Sequence, residues 1–369
     1  MRGWRSIFLA WAALILAASP DARGTAKAPQ HASRGQFIVA GYWHNWVGKS
    51  TEYIPLRDVS PLYTHIFIAF AVPSSPGSPE MAFKPTKQPV EVFKADVRLK
   101  QSRGVKVILS VGGGNHPVVL STPEDAKAFA RSLANLVREY GFDGVDINLE
   151  GESLHLDPGD TDFRHPTTRR VRMLIEAIRD LDRQIGREKI VTVTPEAQYV
   201  VAGYKTYGEK SGGYLPILHA LREQIDWVQM QFYNAGTKLA FSGRGEQHDV
   251  IVKAGTPDFV VALAEMLILG FPVNRDPNLY FHGLGAEKVV IGLPATPLAG
   301  NGYLAPADVR RALRRLMTGE RTYRSAYAMR SRRGHPALAG VMTWSVNWDA
   351  STHGGTSRYE FARTASQFR

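Results

Sequence analysis

Eight apolar, β-rich runs recur along the chain, and this recurrence restricts the fold more than any other feature of the sequence. They are 37–44 (FIVAGYWH), 63–72 (YTHIFIAFAV), 105–112 (VKVILSVG), 142–150 (FDGVDINLE), 190–196 (IVTVTPE), 226–234 (DWVQMQFYN), 288–294 (KVVIGLP) and 339–346 (AGVMTWSV). Near-continuous apolar runs suit strands buried on both faces, as in a parallel sheet, whereas a strand with one wet face alternates. The segments between them read as crossover helices. Residues 122–140 open on Thr122-Pro123-Glu124-Asp125, a capping residue with proline in the first turn. They then set Phe129, Leu133, Leu136, Val137 and Tyr140 on one stripe before Gly141 ends the helix. Residues 167–186 repeat the pattern with Val171, Leu174, Ile175, Ile178, Leu181 and Ile185. Eight such β/α units in a chain of 369 residues predict an α/β fold, a (β/α)8 TIM barrel forming one catalytic domain over 36–369. A doubly wound open sheet is the competing architecture, but no GxGxxG or Walker-type loop follows the first run to favour it. The longest gap, 237–287, reads as the largest insertion, its glycines and prolines pointing to partly irregular structure.

Before the first run, Arg2 and Arg5 precede an apolar stretch of twelve, Ile7 to Ala18. A membrane span needs about 20 residues, so residues 1–26 read as a signal peptide, cleaved near Ala22 or Ala26. The expected protein is secreted, extracellular or periplasmic, and free of the membrane after cleavage. It contains no cysteine, which excludes thiol catalysis and Cys-zinc sites; without disulfides an exported chain needs one sizeable core. The net charge of +11 raises the question of an anionic partner. Much of it comes from Arg310, Arg311, Arg314, Arg315, Arg321, Arg324, Arg330, Arg332 and Arg333. Residues 306–317 have helical spacing with Val309, Leu313 and Leu316 as the apolar stripe, so these arginines read as a solvated face. No basic-aromatic pattern accompanies them, and no nucleic-acid partner is expected. Nor does an HExxH or clustered His/Asp set suggest a metal. The expectation is a monomer with no cofactor.

The fourth run carries the chemistry. Side chains alternate along a strand, so Asp146, Asn148 and Glu150 share one face while Val145, Ile147 and Leu149 share the other. In a barrel the apolar set meets the helices and the polar set points inward, its members about 6.6 Å apart. Burying such a row costs several kcal/mol unless hydrogen bonds offset it. Glu150 is last, at the C-terminal end of the strand, where barrel enzymes hold their reactive groups. A satisfied polar network that serves packing alone is the other reading of the row.

Together these motifs resemble the bacterial chitinases of glycoside hydrolase family eighteen. The DGxDxDxE-like strand four is matched by Asp143, Gly144, Asp146, Asn148 and Glu150, and the SxGG strand three by Ser110-Val111-Gly112-Gly113. Gln231-Phe232-Tyr233-Asn234 matches strand six and Trp344 the end of the last strand, while GYWHNW and VTPE resemble strands one and five. The similarity runs in order from about residue 37 to 350. It implies the barrel and hydrolysis of β-1,4-linked N-acetylglucosamine, in chitin or its oligosaccharides, with retention. In that chemistry the substrate's own acetamido group is the nucleophile. The resemblance makes Glu150 the general acid and then base, with Asp146, Asn148 and Tyr233 as its catalytic companions. Tyr233 is expected to hydrogen-bond the acetamido oxygen, Trp344 to floor the sugar, and Gln231 and Asn234 to orient it. Tyr42, with Trp43, Trp46 and Trp348, is expected to line further subsites, and His44 to be a satisfied structural histidine. The departure is Asn148, where most of the family has aspartate. Asparagine keeps an acceptor oxygen but carries no charge, so Glu150 is expected to lack one anionic neighbour that would raise its pKa. Two alternatives share the motif: an endo-β-N-acetylglucosaminidase acting on N-glycans, and a chitin-binding lectin with weak or no activity.

Overall fold

The protein's structure, a computed structural model, describes residues 36–243 and 249–369. Eight parallel strands form its centre: β1 (Ile38–His44), β2 (His65–Pro73), β3 (Lys106–Gly112), β4 (Gly144–Asn148), β5 (Ile190–Val193), β6 (Trp227–Gln231), β7 (Val289–Pro294) and β8 (Gly340–Trp344). They pair in chain order, and β1 pairs with both β2 and β8, so the sheet closes on itself. The (β/α)8 barrel predicted from the eight runs is therefore the fold, each strand lying within or against its run. Closure removes both sheet edges and divides the interior in two. Inward side chains such as Tyr42, Phe67, Ile108 and Met342 fill the barrel, while Val145, Ile147 and Leu149 join the larger layer between strands and helices.

The crossovers are α1 (Val90–Ser102), α2 (Pro123–Tyr140), α3 (Arg169–Ile185), α4 (Leu215–Ala220), α5 (Pro257–Leu269) and α6 (Pro306–Thr318). In α2 the Thr122 hydroxyl accepts from the Asp125 amide and the Asp125 carboxylate accepts from that of Thr122, a reciprocal cap. Gly141, at φ 71°, then ends the helix. The first crossover departs from the regular unit: β1 is followed by a single 3₁₀ turn, Leu56–Asp58.

Two expectations are corrected. The insertion after β6 is ordered rather than irregular. It holds an antiparallel pair (Thr237–Ala240 with Val250–Lys253), the helix α5 and a second pair (Gly270–Pro272 with Tyr280–His282). Its glycines and prolines mark the joints between these elements, while α5 is buried from Phe259 to Ile268 and so shows no amphipathic stripe. The arginine-rich segment is only partly a solvated face. Arg311, Arg314, Arg321, Arg324, Arg332 and Arg333 are exposed, but Arg315 is buried with Nη2 on the Tyr327 carbonyl at 2.9 Å. Arg330 donates to the Gly270 carbonyl at 2.6 Å and covers the Phe241 ring. The proposed signal peptide lies outside the described residues. Within them, no helix is long and apolar enough to cross a membrane.

Glu265 of α5 is wholly buried and holds the loop that leads into β8. It accepts from the Arg330 amide at 2.7 Å, the Ser331 amide at 3.0 Å and His335 Nε2 at 2.8 Å. Glu265→Ala leaves one buried and two part-buried donors without this partner and should cost roughly 3–5 kcal/mol. Urea unfolding should show a lower midpoint at an unchanged slope.

Candidate active site

The polar row of β4 splits into a buried anchor and an accessible end. Asp146 is completely buried, and its carboxylate is surrounded by neutral donors from four other strands. Tyr42 Oη (2.7 Å) and Ser110 Oγ (2.7 Å) meet Oδ2; Thr192 Oγ1 (2.7 Å), Thr194 Oγ1 (2.8 Å) and Gln229 Nε2 (3.1 Å) meet Oδ1. The satisfied-network reading therefore applies to this member of the row, whose oxygens have no bond left for a sugar.

Asn148 comes next and is also buried. Two acceptors face one end of its amide, so the nitrogen turns to them and donates to Glu150 Oε1 and the Thr194 carbonyl, each at 3.1 Å. The opposite orientation would accept from Gln231 Nε2 at 3.3 Å but set an oxygen against both acceptors. Glu150 lies just past the strand, at the turn Gly151–Leu154, and also accepts from Gln231 Nε2 at 3.2 Å. Its Oε2 rests against the Gly114 backbone, where an added Cβ would stand 3.0 Å away, so glycine is what leaves room for the carboxyl. Burial first, and the charge of Glu196 second, push Glu150 up to about 7, opposed by the bonds from Gln231 and Asn148. An anion beside Glu150 is thus present after all, just past the end of the neighbouring strand β5. Glu196 stands in the VTPE run, but nothing in its spacing sets it against Glu150; the pairing of β5 and β6 does.

Glu150 opens into a cavity of about 490 Å³ at the C-terminal ends of the strands. Trp344, Trp46 and Phe70 wall it, Phe70 stacking nearly parallel to Trp344 with centroids 6.0 Å apart. Gln231, Tyr233, Asn234, Asn148 and the Gly112–Gly114 turn complete the side around the acid, and Asn45, Thr86, Asn115 and His116 extend it. Tyr233 has no hydrogen-bond partner for its hydroxyl among the described residues. Burial and the charges of Glu150, Glu196 and Asp146 hold that hydroxyl protonated, well above the usual phenol range.

Some predicted site residues sit elsewhere. Tyr42 does not line the cavity: it is fully buried beneath Trp344, its hydroxyl spent on Asp146 and Thr194, because its position on β1 points to the barrel axis. Trp43 points the other way and packs against Tyr53 and Phe93, and Trp348 packs on the outer core. Only Trp46 of that group reaches the cavity. Asn234 lines it, yet its Oδ1 accepts from the Asn301 amide at 2.8 Å and so also holds that loop. His44 is structural but unsatisfied: among the described residues neither ring nitrogen has a partner, and the ring stacks on Trp46 at 4.5 Å. Burial lowers its pKa to about 3, so it stays neutral. Phe70, Gly114 and Glu196 went unread because each acts through a neighbour that only folding supplies. Among the described residues no group of three or more metal-binding side chains occurs.

Residues 38–302 match the family model for glycosyl hydrolases family 18. Chitinase Chi52 of Paenibacillus xylanexedens is 42% identical over 316 residues, 85% of this chain and 59% of that protein. Chitinase D of Niallia circulans is 42% identical over 321 residues, 86% of this chain and 60% of that protein. The chain thus spans about three fifths of the length of these curated relatives. A family GH18 chitinase from Chromobacterium violaceum, known from a crystal structure, matches at a TM-score of 0.79 and 31% identity. The match covers 90% of this chain and 83% of that one. The chain belongs to glycosyl hydrolases family 18.

The raised acid makes a stability prediction. A carboxyl at about 7 in the folded state and at its ordinary value when unfolded favours the fold at low pH, and that contribution is lost as pH rises through 7. Glu150→Gln mimics the protonated form at every pH. The variant should match the parent near pH 4 and exceed it at pH 8 by up to roughly 3 kcal/mol, read as a higher Tm.

Proposed function

We propose that this chain hydrolyses β-1,4-linked N-acetylglucosamine in chitin or its oligosaccharides, with retention of configuration and Glu150 as general acid and then base. The observation that carries this reading is that Glu150 is the one carboxyl lining the cavity among the described residues. Two-carboxylate glycosidases need a second such group for the nucleophile or the base. Asp146 is spent on five donors and Glu196 does not line the cavity, so the nucleophile has to come with the substrate.

The steps follow from that division. Glu150, neutral at the start because of its burial, gives its proton to the glycosidic oxygen as the C1–O bond breaks and the electron pair leaves with that oxygen. The 2-acetamido carbonyl oxygen of the same sugar closes on C1, forming a cyclic oxazolinium ion. Tyr233, its hydroxyl unpartnered and protonated, donates to that acetamido oxygen and holds it on line. Trp344 and Phe70 give the ring an apolar face to lie on, which Trp46 extends. Water then opens the ring at C1 while Glu150, now a carboxylate, takes its proton, and the acid is restored. Two inversions at C1 give net retention.

Defined chitin oligosaccharides should release reducing ends whose first-formed anomer is β, as seen by NMR. Glu150→Gln should lower turnover about 10²–10⁴-fold and Tyr233→Phe on the order of 10²-fold. Release of intact N-glycans with no cleavage of oligomers would instead mark an endo-β-N-acetylglucosaminidase, and binding without turnover a lectin. Asn148 gives a separate prediction. Its amide nitrogen donates to Glu150 and opposes protonation, whereas aspartate adds charge. Asn148→Asp should raise the rate and move the alkaline limb of the pH–rate profile upward; an unchanged rate and limb would refute this account of position 148.

A further inference from the structure

The pairing of β5 and β6 resumes three residues past the end of β5, through a parallel bridge between Glu196 and Gln231, the last residue of β6. This places Glu196 beside the acid without placing it in the cavity. Its Oε2 accepts the amide of Gly151, the residue after Glu150, at 3.4 Å. Gln231, bridged to it through the backbone, gives its side-chain amide to Glu150 Oε1 at 3.2 Å. Glu196 therefore touches both the turn that carries Glu150 and the residue that holds its carboxyl.

We propose that Glu196 is a positioning residue for Glu150, a second carboxylate that supplies from just past β5 the negative charge which Asn148 does not supply from β4. The inference rests on Glu150 being the acid. The charges around it are few. Asn148 and Gln231 contact Glu150 as neutral donors, and Tyr199, Tyr214 and Tyr233 face it as protonated phenols. Asp146, below, is enclosed by its own donors. Glu196 is the anion that acts on Glu150, and Lys238, of the strand Thr237–Ala240, acts on Glu196 in turn. Lys238 is half-buried and bonded to the Ala235 carbonyl. Burial raises the Glu196 pKa, and the Gly151 amide and then Lys238 oppose it; where Glu196 carries its charge, that charge favours a protonated Glu150. An aspartate at 148 would exert the same repulsion from within the cavity. Here the anion stands behind the acid, where no sugar displaces it.

Glu196→Gln keeps an acceptor for the Gly151 amide and removes only the charge. On chitin oligosaccharides, the alkaline limb of kcat/KM should move down by roughly 1 pH unit. The rate on the acidic side of that limb should hold within about threefold, a margin well below the loss assigned to a catalytic group. Glu196→Asp, which keeps the charge, should restore the limb at least in part. Carbon-13 NMR of the Glu150 carboxyl, identified by its loss in Glu150→Gln, should titrate lower in Glu196→Gln, and this readout needs no turnover. A limb and a carboxyl titration that both stay in place would overturn the proposal. So would a loss of rate equal at every pH, which marks a brace and not a charge. If turnover ignores Glu150→Gln, the acid assignment fails while the NMR titration still decides whether Glu196 sets the Glu150 pKa.

Discussion

A single buried carboxylate ties the barrel together. Asp146 brings no counter-cation into the interior; its charge is met by three kinds of neutral donor, a phenol, three aliphatic hydroxyls and one amide. Without it Ser110, Thr192 and Gln229 would lose this partner and Tyr42 and Thr194 would keep only each other, so the cost of burying the anion and the cost of burying its donors are offset by the same bonds. Tyr42, Ser110, Thr192, Thr194 and Gln229 reach it from β1, β3, β5 and β6, which fixes five of the eight strands relative to one point. The register of β4 follows, and a one-residue slip would send Asn148 and Glu150 into the helix layer.

That fixed register lets two residues further along the strand differ so sharply in environment. Asp146 is wholly buried, and its carboxylate is enclosed by five neutral donors. Glu150, two alternations outward, has an apolar wall, two amide donors and one anion near it, and its pKa is raised to about 7. Environment and not residue type separates the two carboxyls: one is spent on buried donors, while the other opens into the cavity. The neutral Asn148 between them acts as a spacer whose amide pulls on Glu150 while Glu196 pushes.

The cavity wall depends on the same alternation in β1 and β2. Tyr42 and Trp43 are adjacent, and one faces the barrel axis while the other faces the helices; neither reaches the sugar side. Trp46 does so because it stands beyond the end of β1, freed from the strand's alternation. His44 fills the space behind it as a neutral ring, which is how a buried imidazole with two unpaired nitrogens is accommodated.

The sequence by itself determined the eight strands, the main crossover helices, the polar face of β4 and Glu150 as its outermost member. These are local properties: hydrophobic period, capping residues and side-chain alternation are written into consecutive positions. It misjudged Tyr42 and Trp43 because a strand end looks the same in sequence whether it opens to a cleft or lies beneath one. Arg315 and Arg330 looked like solvated charges because their carbonyl and aromatic partners are distant along the chain. Glu196, Phe70 and Gly114 became legible only through tertiary structure, since an acid's pKa and a ring's stacking partner are set by distances in space between residues that barrel closure alone brings together.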